Sequence, residues 1–158
     1  MTSTSSCSNS KFDSLAPLFL RLALGIMIFP HGAQKLLGLF GGYGYSGTMQ
    51  FFTGNLHIPW VFALCAILIE FFGGIALILG AFTRAAALLV AAELAVGTAM
   101  LHLQNGFFMN WSGQQKGEGV EFFILVLGIG IALILSGGGA CSVDGMLCGN
   151  KPADPPGS

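Results

Sequence analysis

Residues 60–80 (WVFALCAILIEFFGGIALILG) constrain this chain most, because the run holds 21 residues and a single charged side chain, Glu70. A helix that crosses a bilayer needs about 20 predominantly apolar residues. An ionised carboxylate near the middle of a bilayer is costly, and it needs a partner, water or a bound proton. The sequence therefore predicts a transmembrane helix whose Glu70 side chain faces the protein interior.

Three further apolar segments have a similar length, at about residues 15–40, 84–103 and 120–136. Charged residues make up 8% of the chain, against about a quarter in soluble domains. We therefore expect an all-α, integral membrane four-helix bundle with both termini on the same side. Four basic residues fall on the terminal side and two on the other, which favours cytoplasmic termini. In chain order the two sets are Lys11, Arg21, Arg84 and Lys151, and then Lys35 and Lys116.

The chain divides into a polar N-terminal tail (1–14), the membrane domain (15–136) and a Gly/Pro-rich tail (137–158) that is expected to hold a short turn at most. The two long connections, at about 41–59 and 104–119, should lie on one side. The second carries Phe107, Phe108 and Trp111, which are typical interfacial anchors. The lipid bilayer is the expected partner. Nucleic acid is not, because the six basic residues are dispersed and the net charge is −1.

Each apolar segment places a charged residue on one helical face with glycine, and glycine-lined faces are where membrane helices approach closely. The charges are therefore predicted to point into the bundle. The four faces are Arg21, Gly25, Ile28, Gly32 and Lys35; Glu70, Gly73, Gly74 and Leu77; Glu93, Gly97 and Met100; and Glu121, Leu125, Gly128 and Ala132.

Depth divides the polar residues into two groups. Glu70 and Glu93 lie near the bilayer centre, and Arg21 lies about 9 Å in from the terminal side at ~1.5 Å per residue. We predict an interior charge network of Arg21, Glu70 and Glu93, with Arg21 as the counter-ion. Two carboxylates face one guanidinium, so we expect either that one glutamate is protonated or that Lys35 also pairs with the glutamates. A static network that only fixes helix register is the competing interpretation.

A shallower cluster gathers toward the long connections and is the better candidate for ligand contact. It comprises His31, Lys35, His102, Glu118 and Glu121. Together with Glu70, four of these form the candidate catalytic set, namely His31, Lys35, His102 and Glu121. No metal site is predicted. No G-x-G-x-x-G motif follows a strand and no C-x-x-C pair is present, so the chain is not expected to hold a flavin, NAD or dithiol centre alone.

The segments LRLALGIMIFPHGAQKLLGLFGG (20–42), EFFGGIALILGAFTRAAALLVA (70–91), H-x-x-x-GFF (102–108) and EFFILVL (121–127) closely resemble the bacterial DoxX family. The likeness covers about residues 15–144. It implies a multi-pass protein of the bacterial cytoplasmic (inner) membrane with a role around membrane oxidoreductases. Some members are linked to quinone-reducing sulfur oxidation or quinol oxidase assemblies, and others to a complex that handles thiol and superoxide stress.

The leading hypothesis from this resemblance is an accessory or quinone-contacting subunit of a membrane oxidoreductase or respiratory complex, with quinone at a shared site. Such a subunit would assemble with other membrane subunits, as a homo- or hetero-oligomer. One alternative is a structural or assembly subunit without chemistry of its own. The other is a small transporter for protons or a weak acid, suggested by the polar residues spread through the membrane depth.

Overall fold

The computed structural model describes residues 10–148, which form helices and turns and contain no strand. The predicted all-α fold is confirmed. The α-helices are α1 (Ser10–Leu37), α2 (Gly44–Gln50), α3 (Trp60–Leu79), α4 (Thr83–Leu101), α5 (Glu121–Ser136) and α6 (Val143–Cys148). A π-helical turn, Phe51–Asn55, continues α2, and short 3-10 turns cover Leu39–Gly41 and Leu103–Asn105.

Within residues 10–148, three helices are long and apolar enough to cross a membrane, over Ser14–Leu37, Trp60–Leu79 and Thr83–Leu101. The fourth predicted segment corresponds to α5, which is apolar but has only 16 residues. The long helices run up and down. The amide of Ala140 donates to the carbonyl of Ser14 at 2.8 Å, so the start of α1 and the chain after α5 meet at one end of the bundle. We call this the terminal end, and the opposite end, with both long connections, the loop end.

Glycine brings the backbones of α1 and α3 into contact, as the sequence predicts. A Cβ atom at Gly32 would lie 2.3 Å from the Phe71 nitrogen, and one at Gly74 would lie 2.8 Å from the Phe29 Cα. Neither position has room for a larger side chain without separation of the helices. Close backbone approach of this kind replaces the hydrophobic driving force that lipid cannot supply.

The predicted faces of α4 and α5 are wrong in part. A Cβ atom at Gly97 or Gly128 would meet nothing within 4 Å, so neither glycine marks a helix contact. The buried residues of α5 are Val126, Gly130 and Leu133, whereas Leu125 is 63% exposed. α5 is apolar around its circumference, and its charge, Glu121, stands at its first residue. Glu121 is therefore a poor guide to the face that packs inward.

An apolar core fills the terminal half of the bundle. Its most buried members come from α1, α3, α4 and α5 and include Leu24, Ile28, Leu77, Val90 and Leu133, each at most 2% exposed. Leu77 is seven residues from Glu70, or about 10 Å along α3. The core therefore separates the terminal end from the level of Glu70.

The chain after α5 is better ordered than the sequence predicts. Instead of a short turn, residues 137–142 pack across the terminal end and lead into α6. Asp144 of α6 accepts hydrogen bonds from the amides of Phe82 and Thr83, at 2.7 and 2.8 Å. These amides open α4 and would otherwise lack partners within the helix. Residues 10–14 of the predicted N-terminal tail form the start of α1, whereas residues 1–9 and 149–158, which include Lys151, lie outside the described residues.

Replacement of Asp144 by alanine is expected to lower the free energy of unfolding by about 1 kcal/mol, the usual contribution of a helix cap. Partial burial opposes ionisation of Asp144, but hydrogen bonds from Thr83 and Phe82 and the nearby Arg21 charge hold its pKa below the ordinary value. A group with a lowered folded-state pKa stabilises the fold above its unfolded pKa, and that stability is lost as pH falls through the folded pKa.

The stability difference between the wild type and Asp144→Ala should therefore be constant above about pH 5 and shrink below about pH 4. Thermal unfolding in detergent at a series of pH values measures it. Asp144→Asn, which keeps one amide acceptor, is the matched control and should lose less. A difference that stayed the same down to pH 3 would show that the Asp144 carboxylate is not the cap.

Candidate functional site

A cavity of about 700 Å³ occupies the loop half of the bundle. α1, α3, α4, α5 and the π-helical turn all contribute to its wall, together with the connection before α5. Most of the lining is apolar, with aromatic side chains from three elements: Phe51, Phe52, Phe62, Phe122 and Phe123. The charged and imidazole side chains that line it are His31, Lys35, Glu70, Glu93, His102 and Glu118. The cavity thus combines an apolar wall with a small polar set.

Lys35 and Glu70 form an ion pair in this cavity, in which the Lys35 ammonium donates to both carboxylate oxygens. The Glu70 side chain is 4% exposed and that of Lys35 is 28% exposed. Gly32, one helical turn before Lys35, allows the backbone of α1 to lie against Glu70 and Phe71. The close packing of α1 on α3 therefore brings Lys35 within reach of Glu70.

Arg21 is not the counter-ion of the two glutamates, and this part of the predicted interior network is wrong. Its guanidinium is buried at the terminal end and, among the described residues, donates only to backbone carbonyls. The acceptors are Gly138 (2.9 Å), Leu77 (3.2 Å), Ile78 (2.6 Å), Ala140 (3.1 Å) and Cys141 (2.8 Å). The last carbonyls of α3 have no partner within the helix, and a cation is favourable at that end of the helix dipole. Arg21 therefore donates to backbone carbonyls at the terminal end, from α3 and from the chain after α5.

Glu93 of α4 lies beside the Lys35–Glu70 pair, and its carboxyl interacts electrostatically with both members. Its Oε2 atom is buried and has no hydrogen-bonding partner among residues 10–148. The second predicted interior carboxylate is therefore at the site, but it lacks the direct ion pair that holds Glu70. Lys35 takes the place predicted for Arg21.

His102 stands at the loop end of the cavity, with its ring 4.3 Å from that of Phe123. Its Nδ1 atom lies 3.0 Å from the carbonyl oxygen of Glu118. A carbonyl only accepts, so Nδ1 carries the hydrogen in this contact and Nε2 of the neutral ring keeps its lone pair. His31 is exposed and also lines the cavity. Both histidines are thus available to a ligand or to water.

Glu121 lies outside the cavity lining and holds the connection before α5. Its Oε1 accepts a hydrogen bond from the amide of Met109 at 2.8 Å, and Glu118 Oε2 accepts one from the amide of Asn110 at 2.7 Å. Of the five candidate catalytic residues, the cavity brings together His31, Lys35, Glu70 and His102. It adds Glu93, which the sequence assigned to the charge network only.

The aromatic part of the cavity wall is not predicted by the sequence. Phe51 and Phe52 lie in a glycine-punctuated stretch that indicates an interfacial loop, yet the π-helical turn after α2 places both against the cavity. The adjacent Phe–Phe pair was the available signal, but nothing in its spacing indicates an inward orientation. Within the described part of the chain, no group of three His, Cys, Asp or Glu residues could hold a metal ion.

Comparison with known proteins gives consistent matches. The family model named DoxX matches residues 16–103, more than half of the chain. A Bacillus subtilis protein named "Putative oxidoreductase CatD" is 31% identical over 136 residues, which cover 86% of this chain and 89% of that protein. The Escherichia coli "Inner membrane protein YqjF" is 29% identical over 142 residues, covering 87% and 95%.

An "Uncharacterized protein" of Haemophilus influenzae is 32% identical over 133 residues, covering 80% of this chain and 86% of its own length. No solved structure matches significantly. The matched region includes the charged faces of α1, α3 and α4, which supply most of the polar side chains of the cavity. The chain therefore belongs to the DoxX family of membrane proteins.

Proposed function

We propose that this chain is a quinone-contacting subunit of a membrane oxidoreductase system and that the loop-half cavity is the contact site. The observation that carries the proposal is a cavity of about 700 Å³ with an aromatic wall and a partly buried Lys35–Glu70–Glu93 cluster inside a helical membrane protein. The name of the Bacillus subtilis relative adds support for redox chemistry.

The residues present fit a quinone. Its head group is a flat ring with two carbonyl acceptors, and its tail is apolar. Ligand pockets of about 300–1,000 Å³ are the common range, and they are mostly apolar with a few placed polar groups. Phe52, Phe62 and Phe123 supply flat apolar surfaces. Lys35 and a protonated carboxyl can donate to carbonyl oxygens. The cavity therefore has both the volume and the donors that such a head group needs.

Quinone chemistry is the transfer of two electrons and two protons between quinone and quinol. The residues of this chain orient the head group, exclude water from it and hold protons near its oxygens. Residues 42–47 have the spacing G-x-G-x-x-G, but they follow a 3-10 turn instead of a strand and do not form a dinucleotide fold. We therefore assign the electrons to a partner subunit that carries a redox cofactor.

A bulky side chain at Gly97 should block the cavity. Gly97 lines it, and a Cβ atom there would meet nothing within 4 Å, so Gly97→Phe fills space without a clash at its base. We expect Gly97→Phe to weaken binding of a short-tailed quinone by at least about tenfold, or about 1.4 kcal/mol. Quinone binding to the purified protein in nanodiscs, followed by fluorescence quenching or calorimetry, measures the affinity.

Gly128→Phe is the matched control. Gly128 is also a helical glycine with nothing within 4 Å of its Cβ position, but it is exposed on α5 and does not line the cavity. This variant should bind quinone like the wild type. Absence of quinone binding by the wild type, or equal affinities of both variants and the wild type, would refute the proposed site. In native membranes, Gly97→Phe should also reduce quinone-dependent electron transfer, whereas a purely structural subunit would be unaffected.

Transport across the whole membrane finds less support. The transporter alternative requires polar residues through the full membrane depth, with Arg21 continuing the line from Glu70 and Glu93. Arg21 instead binds backbone carbonyls at the terminal end, and the apolar core that contains Leu24 and Leu77 lies between. A proton or weak acid that entered the cavity would meet this core before the other side.

A further inference from the structure

The cavity contains more acidic than basic groups at the depth of α3 and α4. Lys35 supplies one positive charge, and Glu70 and Glu93 supply two carboxyl groups. Ionisation of both glutamates would leave a net negative charge in an apolar membrane cavity, which costs several kcal/mol. Binding of one proton removes that charge. The cluster therefore holds one proton in its neutral state.

The contacts indicate which glutamate takes that proton. Both oxygens of Glu70 accept from the Lys35 ammonium, and this arrangement stabilises the ionised carboxylate. Glu93 has a buried Oε2 atom without a hydrogen-bonding partner among the described residues. An ionised oxygen in that environment would have no cation or donor to compensate its charge, whereas burial of a neutral carboxylic acid costs far less.

The other groups that face this region do not offer Glu93 a second cation at close range. α1 contributes His31 besides Lys35, α4 contributes His102 near its end, and the connection before α5 contributes Glu118. The contribution of α5 is apolar and includes Phe122, Phe123 and Val126. His102 is nine residues beyond Glu93, or about 13 Å along α4. Lys35 is therefore the cation nearest to Glu93, and its ammonium is already paired with the Glu70 carboxylate.

We infer that Glu93 is the proton-holding residue of the cavity and that its carboxylic acid donates a hydrogen bond to a carbonyl oxygen of the ligand. Glu70 is the positioning residue that keeps Lys35 in place. When a proton is transferred, the Glu93 O–H bond breaks, a ligand O–H bond forms, and the electron pair remains on the Glu93 carboxylate. The carboxylate then takes up a proton from water at the loop end. The part about the ligand rests on the proposed function, whereas the location of the proton does not.

A carbodiimide identifies the residue directly, because these reagents add to protonated carboxyl groups in apolar surroundings. Trypsin cleaves after Lys35, Arg84 and Lys116, and the resulting peptides 36–84 and 85–116 each contain one carboxyl side chain, Glu70 or Glu93. Treatment of the full chain in detergent with dicyclohexylcarbodiimide at neutral pH, followed by mass spectrometry, should label peptide 85–116 at least about tenfold more than peptide 36–84.

Glu93→Gln should abolish the label on 85–116, and Glu121→Gln, outside the cavity lining, should leave it unchanged. Lys35→Met removes the cleavage site after residue 35, so Glu70 then lies in peptide 22–84 as its only carboxyl side chain. The label on that peptide should exceed the wild-type label on 36–84, because Glu70 loses its ammonium. Preferential labelling of 36–84 in the wild type, or no label on either peptide, would overturn the inference. A short-tailed quinone should protect Glu93 from the reagent, and unchanged labelling at a saturating quinone concentration would disprove the ligand contact.

The labelling result and the quinone result are separable. Labelled Glu93 in a protein that fails to bind quinone would retain the proton assignment and reject the proposed function. Quinone binding in a protein whose Glu93 is not labelled would retain the proposed function and reject the proton assignment. Since the label is read on the wild type, neither conclusion depends on whether a variant folds.

Discussion

Replacement of Arg21 by methionine is expected to destabilise the bundle more than any other single substitution at the terminal end. The change removes five hydrogen bonds, and the carbonyls of Ile78, Gly138, Ala140 and Cys141 lose the donor that the buried Arg21 supplies. An unsatisfied buried polar group costs about 1–3 kcal/mol. We expect a loss of at least about 3 kcal/mol in the free energy of unfolding, measured by denaturant or thermal unfolding in detergent.

Arg84→Met is the matched control, because Arg84 lies at the same end but is exposed. It should change stability by less than about 0.5 kcal/mol. Arg21→Lys should fall between the two, since one ammonium cannot reach carbonyls on both α3 and the 138–141 segment at once. Similar stabilities of Arg21→Met and Arg84→Met would show that the five contacts do not hold the terminal end together.

The second large effect is expected at the Lys35–Glu70 pair. Removal of one partner of a buried ion pair typically costs about 3–5 kcal/mol, because the other charge remains without compensation. Lys35→Met and Glu70→Gln should each lose stability. The loss is smaller for Glu70→Gln, because Glu93 can then pair with Lys35. The double variant should lose less than the sum of the two.

A double-mutant cycle on thermal stability measures this coupling, which we expect to exceed about 1 kcal/mol. Lys116→Met serves as the control, because Lys116 is exposed in the connection before α5 and forms no ion pair within residues 10–148. It should leave stability close to that of the wild type. Strict additivity of Lys35→Met and Glu70→Gln would indicate that the two side chains do not interact in the folded protein.

The sequence predicts the helices well, because length and apolarity determine where a chain can span lipid. The burial of Glu70 follows from the same physics, since a lone charge in a long apolar run has to turn inward. The close contact at Gly32 and Gly74 was also predictable, because glycine on the charged face of a membrane helix lets a neighbouring backbone approach. These features depend on the local sequence and on the bilayer.

The choice of partners was not predictable in the same way. Arg21 and Lys35 stand on one face of α1 at positions 14 apart, and both are cations with long side chains. Depth counted along α1 favours Arg21 as the partner of Glu70, but it omits two facts of the tertiary structure. The carbonyls at the end of α3 compete for Arg21, and the chain after α5 returns to supply three more. Only the packed fold brings these acceptors together.

The predicted face of α5 was wrong for a related reason. The sequence of a helix that is apolar on all sides does not indicate which face is buried. Glu121, the first residue of α5, accepts a hydrogen bond from the connection before the helix and does not point into the bundle. Asp144 gives the opposite case. Its sequence neighbourhood indicates a flexible tail, yet its carboxylate is the cap of a helix 61 residues earlier in the chain. Long-range capping leaves no periodic signature.

The apolar core next to Arg21 also has a consequence for the side of the membrane on which the proposed chemistry would take place. Because polar residues reach Glu93 from the loop end and the core lies on the other side, we expect protons of the proposed site to exchange with the aqueous phase at the loop end. With the predicted cytoplasmic termini, that phase is the extracytoplasmic one. Quinol oxidation at this site would then release protons outside and build the proton-motive force, whereas quinone reduction would consume protons from the same side.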